Sequence, residues 1–173
     1  MKEALGGVLS FQAIFVFLVL MIGLLMFSVS YTKSFHMKNQ LVTIIEQYEG
    51  LTPSASDKID DYANRLNYSF SSTGIYEDKC RKMGYEPYVQ TLDSGEKFVF
   101  CVKCELADVT GTNNSNLTYK GAQYAVATFV NVNIPIINRI FPAAANFLVI
   151  TGETDTIYSS GNNSELCRNA RTS

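Results

Sequence analysis

The stretch Val8-Leu9-Ser10-Phe11-Gln12-Ala13-Ile14-Phe15-Val16-Phe17-Leu18-Val19-Leu20-Met21-Ile22-Gly23-Leu24-Leu25-Met26-Phe27-Ser28-Val29-Ser30 carries no charge, and it lies within residues 4–32, a run of 29 uncharged positions between Glu3 and Lys33. About 20 apolar residues in a helix suffice to cross the hydrocarbon core of a bilayer. On an insertion scale the 15 Leu, Ile, Val and Phe residues from Val8 to Val29 contribute roughly −5 to −9 kcal/mol, opposed by little but Gln12 and three serines. Insertion wins that balance. The sequence therefore predicts a transmembrane helix over residues 8–30, preceded by a short leader or cytoplasmic stub over 1–7.

The composition agrees. Of 173 residues 47% are hydrophobic and only 17% charged, against the roughly 25% of an ordinary globular chain. The deficit is concentrated in the N-terminal run. With 14 basic and 16 acidic side chains the net charge is −2, which offers no electrostatic footprint for nucleic acid. Residues 50–173 number about 124, enough for one domain and too few for two.

Beyond the apolar run, Met37, Leu41, Ile44, Ile45 and Tyr48 recur at helical spacing among Lys38, Asn39, Thr43, Glu46 and Gln47. No Pro or Gly interrupts Ser28–Glu49. One continuous helix from about Leu5 to Glu49 is expected, roughly 68 Å long at 1.5 Å per residue. Its amphipathic continuation covers 31–49 and carries the domain. Gly50, followed by Thr52-Pro53, ends it. A second helix should run from Ser56 or Asp57 to about Leu66, with Ile59, Tyr62, Ala63 and Leu66 on one face. Asp57, Asp60 and Asp61 read as a solvated face at its start rather than a metal cluster, since no further ligand stands at suitable spacing.

From Tyr85 onward the signals are β. Residues 88–92 and 97–106 flank the turn-forming Asp93-Ser94-Gly95-Glu96 and should form a hairpin. Gly111 to Asn116 reads as a loop. The alternation from Tyr124 to Ile134 predicts a long central strand, and a last strand should begin near Asn146 and continue through Tyr158. Between these two runs a linker holding Ile136, Ile137, Ile140 and Phe141 is expected to pack on the sheet, or to present a membrane or partner patch. The fold class is thus α+β, a long helix packed on an antiparallel sheet of about four strands.

Four cysteines, Cys80, Cys101, Cys104 and Cys167, lie outside the membrane run and favour an oxidising compartment. On a strand Cys101 and Cys104 stand about 10 Å apart on opposite faces, too far to bridge. One of them should pair with Cys80 and the other with Cys167; both assignments are open at this level. The positive-inside count runs the other way, because Lys33 and Lys38 follow the membrane segment, but it rests on one or two charges.

Catalytic patterns are sparse. The single histidine, His36, sits just past the membrane run, no Gly-rich loop follows a strand, and the Cys101-x-x-Cys104 spacing lies on a strand rather than at the helix N-terminus that activates a redox thiol. No enzyme activity, cofactor, metal or small-molecule substrate is expected.

A short leader ending in Gly7, a membrane helix that continues as an amphipathic helix, and a C-terminal antiparallel sheet resemble type IV pilin-like subunits, and TadE-like pseudopilins most of all. The resemblance implies cleavage between Gly7 and Val8, anchorage in a bacterial cytoplasmic membrane with the head outside, and packing against homologous pilin-like subunits or other assembly components of a pilus or secretion apparatus. Cleavage there would put Gln12 at the fifth mature position, where the family commonly carries a glutamate that neutralises a neighbour's terminal amine. An amide cannot do so, a departure that fits a minor subunit better than a major one. Gln12 and Gly23 are the candidate helix-packing positions. The competing readings are a single-pass accessory of a conjugation or secretion apparatus that never enters a filament, and a secreted binding domain released after Ser30, where Ser28-Val29-Ser30 offers a small-x-small site.

Overall fold

The computed structural model describes residues 2–70, 72–110, 118–130, 148–158 and 167. The chain builds helices α1 (Lys2–Gln47), α2 (Pro53–Leu66) and α3 (Gly74–Lys82) and strands β1 (Glu86–Thr91), β2 (Lys97–Thr110), β3 (Thr118–Phe129), β4 (Val149–Glu153) and β5 (Ile157–Tyr158). All strand pairs are antiparallel; the order is β1-β2-β3-β4, and β5 pairs with β3 beyond the end of β4. This is the α+β arrangement expected from the sequence.

Helix α1 has 46 residues without a break, about 69 Å of rod. Its C-terminal part buries Ser34, Met37, Leu41, Ile44 and Ile45, one stripe at helical spacing, against the sheet. Burying the four large apolar side chains of that stripe is worth about 6–12 kcal/mol gross, so this half is fixed to the head. Among the described residues the apolar window of its N-terminal part is not buried by the head. Gly152 of β4 permits a close approach, because a Cβ there would run into the Lys38 side chain and lie 3.3 Å from Val42 Cγ2.

The helix stops in a Schellman turn. The Gly50 N–H donates to the Ile45 carbonyl at 2.8 Å and the Glu49 N–H to Glu46 at 3.3 Å, with Glu49 itself at φ 53°. The left-handed position is therefore Glu49, one residue before the glycine that marks the helix end in the sequence. Gly50 has its own requirement: its φ is 131°, and an added Cβ would stand 2.9 Å from the Tyr124 hydroxyl.

Helix α2 begins earlier than its apolar pattern suggests, at Pro53, because Thr52 caps it by accepting from the Ala55 N–H at 3.2 Å and proline suits the first helical position. Asp57, Asp60 and Asp61 consequently fall beyond the first turn, where the helix dipole gives them little. Asn67 ends the helix at φ 51°, and this turn delivers Tyr68 into the core. Helices α1 and α2 cover one sheet face, which carries Tyr88, Phe100, Val102, Tyr124 and Val126. Helix α3 covers the other, where Tyr76 packs on Phe129. Its short apolar contribution, essentially Tyr76 and Cys80, leaves too little periodicity to be read in the sequence.

Strand β3 starts earlier than the alternation suggests, since residues 118–123 pair with β2 in spite of their mixed polarity. The terminal strand is interrupted. Thr154 accepts the Tyr124 N–H through its side chain at 2.9 Å, and the Asp155 N–H turns to the Glu46 carboxylate at 2.9 Å, so β4 and β5 are separate ladders. The predicted continuation of β3 to Ile134, the loop over 111–116 and the apolar linker lie outside the described residues.

Replacing Gly50 with alanine is expected to cost about 1–3 kcal/mol, from a left-handed β-carbon pressed on Tyr124, whereas Glu49→Gly should be neutral or stabilising by up to about 1 kcal/mol. Urea unfolding of the detergent-solubilised protein, followed by tyrosine circular dichroism, checks both.

Candidate functional site

Nowhere else among the described residues is so much apolar surface uncovered as on α1 between Phe11 and Val29. Thirteen large apolar side chains there are exposed, Phe11 by 74%. Scattered exposed apolar groups are ordinary on soluble proteins, but a contiguous surface of this kind marks a membrane or protein interface. The span Ser10–Gln47 includes a window apolar and long enough to cross a bilayer, none of it buried by the head.

Gly7 and Val8 lie within the unbroken N-terminal turns of α1. Gln12 is exposed and edges a shallow apolar groove on the helix surface with Ala13, Val16, Phe17 and Leu20. Gly23 is half-buried on the same rod, eleven residues on and three turns away, so the two do not form one site. Ile136, Ile137, Ile140 and Phe141 lie outside the described residues.

The cysteines form Cys80–Cys101 and Cys104–Cys167, with Cα separations of 5.3 Å and 5.6 Å. Cys101 faces α3 and Cys104 the opposite side of β2, as their odd spacing on a strand requires. The first bridge ties α3 to the sheet; the second ties Cys167 to the distal part of β2. Among the described residues no thiol is free.

Where α1 leaves the head, a buried polar junction holds it. Ser34 Oγ and Tyr68 Oη each donate to the Phe129 carbonyl at 2.8 Å, and Tyr68 Oη also accepts the Phe129 N–H at 2.9 Å. Thr128 Oγ1 returns a bond to the Ser34 carbonyl at 3.1 Å. The tyrosine thus occupies the place of a neighbouring strand at the point where the β2–β3 ladder has ended. Burial pushes its hydroxyl well above the usual tyrosine range, so it stays a neutral donor. The visible signal for this junction is a lone small polar residue, Ser34, on the stripe that continues as Met37 and Leu41; nothing local in the sequence identifies Tyr68.

Asp60 corrects the reading of the α2 acids as a solvated face. It is half-buried and its Oδ1 has no hydrogen-bond partner. Burial, with the charges of Asp57 and Asp61, raises its pKa from an ordinary 3.8 to about 6. Asp57 and Asp61 themselves are exposed. Facing them across the helix interface, Ser56 Oγ and Tyr88 Oη share a hydrogen bond, and Gln90 donates to the same tyrosine at 3.1 Å. Among the described residues no group of three or more His, Cys, Asp or Glu side chains is placed to hold a metal ion.

Compared with known proteins, the chain matches no family model, no curated protein and no solved structure.

Two outcomes follow from this geometry. Tyr68→Phe, which orphans the Phe129 N–H, should cost about 2–3 kcal/mol, more than the roughly 1 kcal/mol of Ser34→Ala, after which Tyr68 still serves the carbonyl; urea midpoints rank the two. Because the folded-state pKa of Asp60 lies above its unfolded value, the stability linked to it is complete below about pH 3.8 and is lost as pH rises through about 6. Asp60→Asn should flatten that slope in urea midpoints measured from pH 4 to 7.

Proposed function

We propose that the protein is a membrane-anchored, pilin-like component of a pilus or secretion-type assembly, with the layout of a TadE-like pseudopilin, and that it works by subunit packing. The observation that carries this reading is the division of α1, one rigid rod whose second half is the spine of the head and whose first half is apolar and uncovered. Such a rod transmits the position of the head to the membrane and can pack side by side with copies or relatives. The two disulfides support a head on the oxidising side of a bacterial cytoplasmic membrane.

Gln12 favours a second reading, a membrane-resident accessory subunit of a conjugation or secretion apparatus. Its amide has no charge with which to neutralise a neighbour's terminal amine, although it can hydrogen-bond another helix within lipid. The N-terminal sequence of the protein recovered from its native cell separates the readings. A start at Val8 is the expected result for pilin-type processing. A start at Met1 or Lys2 transfers the protein to the accessory reading, and a start at Tyr31 contradicts both by releasing the head from its anchor.

A further inference from the structure

Outside the Phe11–Val29 surface, six large apolar side chains are exposed among the described residues: Tyr31, Phe35, Ile75, Leu106, Leu148 and Tyr158. Four of them collect at the end of the head where α1 departs. Tyr31 and Phe35 flank Ser34 on α1 itself. Leu148 accepts the Val130 N–H at 3.1 Å, one strand step beyond the Phe129–Val149 pair and so on the membrane side of the Ser34 junction. Ile75 opens α3 on the opposite sheet face, next to Tyr76, whose ring centroid is 4.9 Å from that of Phe129. Leu148 is 38% exposed and Ile75 58%.

With the hydrocarbon boundary at Ser30, Ser34 stands about 6 Å further along the helix, and the polar interfacial layer of a bilayer is itself about 5–7 Å thick on each side. Side chains at the level of Ser34, or on its membrane side, therefore fall within the headgroup layer. We infer that the base of the head, through Ile75, Leu148, Tyr31 and Phe35, lies in the interfacial layer of the same bilayer that α1 spans. This rests on the membrane-anchor reading above. Aromatic and aliphatic groups gain there from partial dehydration, and Lys33 and Lys38 on α1 add attraction to anionic lipid. Lys38 already lies over the Phe35 ring, 4.8 Å from its centroid. The acidic hairpin turn, with Asp93 and Glu96, also points to this end from the β1–β2 side on which α3 packs, whereas Leu148 stands at the β4 edge, so contact is closest at α1 and the β4 edge. A head seated in this way has a fixed tilt on the membrane surface instead of swinging on its helix.

The chain has no tryptophan, which makes each introduced indole a clean reporter. Full-length Phe17→Trp, Ile75→Trp, Leu148→Trp and Leu106→Trp variants would be reconstituted in vesicles of phosphatidylcholine and phosphatidylglycerol, with bromines placed either near the headgroup end or near the methyl end of the acyl chains. Leu106 pairs with Ala122, seven strand steps or about 23 Å from the Phe129 level, and serves as the distal control. The expected result is loss of emission for Phe17→Trp with deep bromines, loss for Ile75→Trp and Leu148→Trp with shallow bromines, and no loss for Leu106→Trp. Quenching of Phe17→Trp with neither rim variant affected overturns the seated head and leaves the anchor intact. No quenching of Phe17→Trp removes the anchor and the inference together. Rim emission that shifts only when other membrane proteins are present, without sensitivity to bromine, assigns the rim to a protein partner and also overturns the proposal.

Discussion

The hydroxyls of Ser34 and Tyr68 converge on the Phe129 carbonyl at the level where α1 leaves the head, and N-terminal to that level the helix is apolar and uncovered among the described residues. A buried carbonyl with two donors, and a buried N–H with one acceptor, are satisfied only while α1, β3 and the segment after α2 keep their relative positions. Displacing any of the three strands a polar group in the core, at a cost of about 1–3 kcal/mol for each group left without a partner. The junction is therefore where the head fixes the direction in which the rod emerges.

Below the junction the stripe from Met37 to Ile45 supplies the bulk of the adhesion between rod and sheet, and of the two disulfides Cys80–Cys101 constrains the face that the rod does not reach. Cys80–Cys101 is needed because α3 has little apolar surface of its own. Cys104–Cys167 fastens the C-terminal region to β2 from the other face. A domain of this size with part of its core contributed by one half of a long apolar helix has a modest interior, and cross-links on both sheet faces compensate for it.

The rod, its amphipathic continuation, the hairpin, the antiparallel sheet and the restriction on cysteine pairing were legible in the sequence, because each rests on a strong local pattern: an uncharged run, a helical stripe ending at Gly50, alternation around a turn, and an odd spacing on a strand. What was hidden depends on tertiary partners. Helix α3 folds on a disulfide and the two ring contacts of Tyr76, the start of α2 is set by a Thr-Pro cap, and the β4–β5 interruption arises from one threonine side chain replacing a backbone acceptor. Asp60 read as solvated because its depth is decided by how closely α2 lies on β1. For the candidate site, the apolar surface with Gln12 and Gly23 was visible from residue types alone, while the Ser34–Phe129–Tyr68 junction joins positions 34, 129 and 68 and has no local signature beyond a serine on an apolar stripe.

In the proposed function the apolar half of α1 is embedded in lipid while the cross-linked head stands on the outer, oxidising side. Labelling of intact cells with a membrane-impermeant maleimide, before and after an impermeant reductant, tests it most directly. No labelling of the membrane-bound protein is expected before reduction, and labelling at the four cysteines is expected after it, without cell lysis. Labelling that requires lysis, or a protein recovered freely soluble with its first thirty residues intact, would contradict it.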